Sequence, residues 1–469
     1  MPSDLTRPSR LRDAIIAPGQ SWESVGREVT GLAIDRRIGL RWWIAFAAAC
    51  ALVGLMAISM GWLLVEGVGI WGNNVPVTWA LDIVSYDWWI GIASGGLVVS
   101  AMLLLVDAEW RGALNRITET MALVSAAAAG LYPIIHLGRP WFFYWNLPYP
   151  NTFQLWPQVR SPLFWDAVDI ISYLLVCLSF WFIGMLPDLA SMRDRAVERI
   201  GEGRGVKLRL LRAQIYGIVA LGWRGSALHW RRWMQAYRII ALFGVLLVVS
   251  LQTGAAVMFA GTVEPGWHDT LLPVTFLFGA IFSGVAMVAV LAVVLRGVFG
   301  LAPLVTPRHL DLLAMLLLVL GLISLYCYVA EFGISWLIGN GFDRGVLARR
   351  FDGPHAWSTW TIIACALVPV HLFWIPRLRR SPVALLLVGL LVSAGMYADH
   401  FMVIVITLQH DFLPSAAQSY SVDLWGMATF AGSVGLFLAL LLLFLRYLPA
   451  VSIVEIRRLI QQGGLPRHG

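Results

Sequence analysis

Apolar residues fall into ten continuous runs, at roughly 43–66, 88–106, 118–137, 163–186, 238–261, 271–297, 310–338, 358–375, 382–406 and 425–447. Each is close to the ~20 residues that a helix needs to cross a bilayer. None alternates apolar and polar positions as a barrel strand would. Backbone amides in lipid must find their partners within the structure, so the pattern predicts an all-α polytopic bundle. Pro369 interrupts the eighth run and makes it the least regular.

Charge alternates between the connections. The N-terminal segment carries Arg7, Arg10, Arg12, Arg27, Arg36, Arg37 and Arg41, whereas residues 67–87 carry no Lys or Arg. Arg111 and Arg116 follow, and then the densely basic 187–237, which holds Lys207, the chain's sole lysine. Segments 262–270 and 407–424 have no Lys or Arg, whereas 376–381 and the tail do. Positive-inside counting therefore places both termini and the even-numbered connections in the cytoplasm. The exception is 339–356, expected to face outward yet holding Arg344, Arg349 and Arg350. Residues 1–42 read as a cytoplasmic segment without a signal-peptide core, 43–447 as the transmembrane domain, and 448–469 as a cytoplasmic tail. Loop 187–237 is too short for a core of its own, although Arg199 to Tyr216 has the spacing of a surface helix. The expected location is the bacterial inner membrane.

Composition agrees: 59% of residues are hydrophobic, 13% are charged, and mean hydropathy is +0.75. A soluble domain would be about 45–50% apolar and about 25% charged. The net charge of +7 lies between apolar runs, so it reflects topology rather than nucleic-acid binding. Cys50, Cys177, Cys327 and Cys365 all lie within runs and form no CxxC or CxxCH. That pattern gives no iron–sulfur cluster, c-type haem or metal site in this chain. The nine histidines include no facing mid-span pair for haem b. No internal repeat is visible.

Ionisable residues inside a membrane are costly and are functional candidates. His136 ends the third run, and Asp166 and Asp169 open the fourth, three residues apart on one helical face. Arg139 lies between them. Glu331 sits in run seven, and Asp399 and His400 in run nine. A histidine that bonds one quinone oxygen, with a carboxylate nearby, would suit proton-coupled quinone chemistry, and the expected quinone-binding set is His136, Asp166, Asp169 and Arg139, the last holding the pocket's geometry electrostatically. His136 and Asp166 also read as interfacial helix caps or as partners of Arg139 and Arg160. Glu331, Asp399 and His400 read either as a proton path or as interhelical pairs. Gly95-Gly96 in run two suggests close helix packing.

Several stretches carry a family resemblance: GVGIWGNN from Gly67 to Asn74, HLGRPW from His136 to Trp141, PYPN from Pro148 to Asn151, and SPLFWD from Ser161 to Asp166. LPDLA from Leu186, PGWH from Pro265, RHLD from Arg308 and HDFLPS from His410 follow in order. The chain resembles the NrfD/PsrC-like membrane subunits of the polysulfide reductase type, and among them the larger, ten-helix C-subunit of alternative complex III. The resemblance covers about residues 15 to 450. It implies a subunit without a redox centre, binding a quinone (menaquinone or ubiquinone) near the outer face. It implies electron exchange with an iron–sulfur subunit, which in some complexes serves a molybdopterin enzyme. In alternative complex III the electrons continue to multihaem cytochromes c, beside other membrane subunits and lipid. The resemblance also places His136 and Asp166 in the quinone pocket. The sequence departs from the family pattern at Ser94 and Gln252, where histidines are usual, and at Met258, where aspartate is. Asp399-His400 replaces a Glu-Arg pair. These losses argue against coupled proton translocation. Two other classes stay open: a secondary transporter or ion channel, and an anchor that has lost quinone chemistry.

Overall fold

The computed structural model describes residues 15–35, 39–147, 162–200, 206–410 and 412–461. Arg7, Arg10, Arg12, Arg36, Arg37, Arg160, Ser161 and the PYPN stretch lie outside them. Among the described residues, ten helical segments are long and apolar enough to cross a membrane. They are α1 (Leu40–Glu66), α2 (Leu81–Leu105), α3 (Asn115–His136), α4 (Pro162–Glu198), α5 (Ala227–Ala260), α6 (Leu272–Val298), α7 (Pro307–Leu337), α8 (Trp357–Trp374), α9 (Pro382–Ile406) and α10 (Leu424–Tyr447). All ten runs of the sequence reappear. Consecutive helices alternate direction, so His136 and the start of α2 share one end of the bundle.

The differences lie at helix ends. Helix α2 begins at Leu81 rather than 88, which brings Asp82, Tyr86 and Asp87 into the span. Carboxylates lower the hydropathy of a window, yet they are favourable in a helix's first turns, where the dipole is positive. The basic loop is mostly helix: α4 runs on to Glu198 and α5 starts at Ala227, with a separate helix, Val206–Val219, between them. Pro187 sits inside α4. Lacking an N–H, it leaves the carbonyl of Ile183 without its helical donor. The indole of Trp233 on α5 donates to that carbonyl at 2.7 Å.

Helix α8 is irregular, as Pro369 suggested. An α-helical turn passes through a π-helix, Ile362–Leu367, into a 3-10 segment that starts at Pro369. The last turn of α9, Met402–Ile406, is also π-helical. π-Bulges are common at functional sites, and this one begins two residues after His400.

Helix α2 is the buried centre of the bundle, packed on α3, α5, α6 and α9. Its glycines permit this. A Cβ on Gly95 would stand 2.6 Å from the Cα of Gly284 on α6, and one on Gly96 would stand 2.6 Å from the Cε of Met121 on α3. Backbone cannot yield as a flexible side chain can. Gly95→Val should therefore destabilise the folded protein by about 3 kcal/mol or more, at the upper end for overpacking. Thermal unfolding in detergent measures this, with Gly54→Val, which meets open space, as the near-neutral control.

Helix α1 lies at the edge, burying only Ala49, Met56, Ser59 and Leu63. The seven-residue spacing of Ala49, Met56 and Leu63 makes one stripe, which meets Gly432 and Gly435 of α10. Two short amphipathic helices close the far end from His136. Trp22–Ile34 is capped by Ser21 and Ser24 and buries Val25, Val29 and Ala33. Ile453–Gln461 turns the tail back onto the bundle. They clasp each other through Arg457, 4.8 Å above the Trp22 ring.

Candidate functional site

The first two turns of α2 organise the site. Asp82 Oδ1 accepts the Ala80 backbone N–H at 3.1 Å, capping its own helix. Its other oxygen, Oδ2, accepts Nδ1–H of His136, the last residue of α3. One turn further along α2, the Tyr86 hydroxyl donates to Asp166 Oδ1 at 2.7 Å, in the second turn of α4. Residues four apart share a helical face, so the Asp82–His136 and Tyr86–Asp166 pairs stand on neighbouring turns of one surface. Asp82 is buried, whereas the His136 side chain keeps 27% of its exposure. One ring nitrogen is thus fixed in the protein, and Nε2 has no partner among the described residues.

His136 and Asp166 each bond a residue of α2, on neighbouring turns, rather than pairing with each other. The anionic partner of His136 is Asp82, a residue whose position in the sequence reads as connection rather than span. Arg139, expected to hold the pocket electrostatically, is exposed and has no carboxylate partner among the described residues. Asp169 lies one turn deeper on α4, with Oδ2 4.0 Å from where a Cβ on Gly254 of α5 would stand. The family stretches converge here. Gly138 of HLGRPW takes a left-handed φ of +68°, and a Cβ there would stand 3.2 Å from Cγ1 of Val68 in GVGIWGNN.

The other candidates continue across the bundle from α2. Asp87 Oδ2 lies 3.2 Å from His400 Nδ1 on α9. The neighbouring Asp399 accepts the Tyr328 hydroxyl of α7 at 2.6 Å. Glu331, nearly one turn along α7, accepts Arg350 Nη1 at 2.6 Å. All three sequence candidates are thus paired between elements. The Glu331 pair accounts for one of the three arginines of the anomalous basic connection, because Arg350 is buried against a carboxylate.

Two departures from the family pattern answer each other. Gln252 Nε2 of α5 donates to Ser94 Oγ of α2 at 2.9 Å, and both residues are buried. Together they form a neutral pair.

A second charged cluster, of which the LPDLA stretch marks only Asp188, occupies the opposite end. Arg116, fully buried, donates through Nε to Asp188 at 2.7 Å and through Nη1 to Glu119 at 3.0 Å. Glu119 also accepts from Tyr237 and from Ser100. Arg116 Nη2 reaches Ser452 Oγ at 3.2 Å, and Asp188 accepts the Val454 N–H at 3.2 Å. Arg111 pairs with Glu455 at 2.6 Å. Burial pushes the Glu455 carboxyl above its ordinary range, against the opposing pull of Arg111 and Arg116. Gly184 makes room: a Cβ there would stand 2.6 Å from Arg116 Nη1.

The family described as "Polysulphide reductase, NrfD" matches residues 70–410. The chain is 24% identical over 416 residues to the C-subunit of selenate reductase from Mesobacillus selenatarsenatis, covering 86% of this chain and 92% of that protein. It is 23% identical to the putative dimethyl sulfoxide reductase membrane C-subunit of Halobacterium salinarum, covering 76% of this chain and 74% of the relative. Protein NrfD of Escherichia coli is 27% identical, over 47% of this chain and 61% of its own length.

Proposed function

The chain belongs to the polysulphide reductase NrfD family, and from that premise we propose that it is the quinone-reactive membrane subunit of a respiratory oxidoreductase. The carrying observation is the Asp82–His136 pair, one turn of α2 from the Tyr86–Asp166 pair. A quinol supplies two electrons and two protons when it is oxidised. With Nδ1–H donated to Asp82, His136 Nε2 carries the lone pair and accepts the proton of one quinol hydroxyl. The Asp166 carboxylate, steadied by Tyr86, takes the other. The two electrons pass to an iron–sulfur subunit docked over this end. In the reducing direction the same groups return both protons.

The His136 end faces the periplasm in this reading, with the basic connections and both termini in the cytoplasm of a bacterium. Arg350, neutralised by Glu331, weighs little against that orientation. The neutral Ser94–Gln252 pair offers no titratable group midway along α2. Protons are therefore exchanged at the His136 end rather than carried through the bundle. The relatives' names favour a docked reductase over the cytochrome chain of alternative complex III.

Purification of the tagged chain from native membranes in mild detergent tests this reading, with mass spectrometry of its partners and of extracted quinone. The expected result is an iron–sulfur reductase subunit with stoichiometric quinone. A lone chain without quinone, from membranes where the complex survives, would overturn it.

A further inference from the structure

A hollow of about 1300 Å³ opens between α1, α6, α9 and α10, away from the His136 end. Its walls are apolar: Met287, Val290 and Val294 of α6, Leu390 of α9, and Leu438 and Leu442 of α10 face it. Trp88, Trp89 and Tyr397 close its deep end. On α10 it reaches from Arg446 to Phe430, a rise of about 24 Å. One leaflet of a bilayer's hydrocarbon is about 15 Å thick, so the hollow accepts chains longer than one leaflet's depth.

The mouth differs from the walls. Arg41 and Arg446 line it with Trp42, and no carboxylate lines the hollow among the described residues. Arg446 is positioned by donating from Nη1 to the carbonyl of Ala33 in the N-terminal amphipathic helix, at 3.1 Å. Arg41 is exposed at the start of α1. A wholly apolar occupant would match the walls but not the cationic mouth. An acyl chain below a phosphate meets both parts of the site, and basic pockets between membrane helices bind anionic headgroups. Tryptophan at that level suits the interfacial zone.

We propose that this hollow is a binding site for one anionic phospholipid, its phosphate held by Arg41 and Arg446 and its acyl chains lying between α6, α9 and α10. Its cationic mouth lies at the opposite end of the bundle from the His136 pair, and the proposal does not depend on the quinone reading. A bound lipid replaces the protein contacts that α1, mostly exposed, does not make on this side.

Native mass spectrometry of the delipidated, detergent-purified chain tests this, with phosphatidylglycerol and phosphatidylcholine of identical acyl chains as probes. The expected result is one tightly retained phosphatidylglycerol, bound at least tenfold better than phosphatidylcholine. Arg41→Gln alone should weaken that binding several-fold, and Arg41→Gln with Arg446→Gln should abolish the headgroup preference. Ala394→Phe, projecting into the hollow from an exposed position on α9, should block both lipids while leaving the arginines in place. Equal binding of the two lipids to the wild type, or phosphatidylglycerol retention unchanged in Arg41→Gln and Ala394→Phe, would overturn the proposal. So would recovery of quinone or a partner's helix in the hollow of the intact complex.

Discussion

Asp82→Asn should lower quinol-dependent turnover of the intact complex by about 10²–10⁴-fold, the usual worth of a positioned acid–base group. The expected loss matches that of His136→Ala, although Asp82 itself need not touch the substrate. The carboxylate accepts Nδ1–H of His136 and so decides which ring nitrogen carries the lone pair. Asparagine at this position can instead donate to Nδ1, which would put the proton on Nε2, where the base is needed. A positioning role makes a specific claim about the double variant: Asp82→Asn with His136→Ala should be no slower than His136→Ala alone, because groups that act as a unit are not additive. Most of the loss should fall on kcat rather than KM. Asp166→Asn should also abolish turnover, while Arg139→Gln, at an exposed residue, should have a far smaller effect. Steady-state kinetics of complexes that still hold their partner subunits measure all of these. Additive losses for Asp82 and His136, or near-normal turnover in Asp82→Asn, would remove the pair from the chemistry.

The bundle is legible in the sequence because long apolar runs have few alternatives in a membrane, and each run forms a span. The site is half legible. His136, Asp166, Glu331, Asp399 and His400 stand out because an ionisable group within or beside an apolar run is rare. Their partners do not stand out. Asp82 and Asp87 depress the local hydropathy and push the apparent start of α2 out to 88, so both read as connection. The signal that could find them is helical spacing: Asp82 and Tyr86 repeat at four residues, immediately before an apolar run. Arg116 is hidden in the same way, as a topology marker at a loop end. The Ser94–Gln252 contact joins helices 158 residues apart, and no local pattern encodes such a pairing. Gly95-Gly96 is readable because the absence of a side chain is itself the message.

Arg116→Leu should be the most destabilising single change outside the His136 site, at about 3–5 kcal/mol. The guanidinium is wholly buried between Glu119 and Asp188, each on a different turn or helix. Its loss leaves two carboxylates with no cation directly against them, and removing one partner of a buried pair costs far more than the pair contributes in net stability. The damage should begin locally. Asp188 holds the backbone of Val454 and the hydroxyl of Ser452, and Arg116 holds Ser452 as well. The C-terminal helix Ile453–Gln461 should therefore loosen before the spans do, exposing it to protease in a folded protein. Replacing all three charges together, Arg116→Leu with Glu119→Leu and Asp188→Leu, should recover much of the stability, because no charge is then stranded. It should not restore the docking of the C-terminal helix, which needs the Asp188 acceptor. Thermal unfolding in detergent reads the first effect and limited proteolysis the second. A triple variant no more stable than Arg116→Leu, or a C-terminal helix equally protected in every variant, would mean that packing rather than this ion network closes the far end of the bundle.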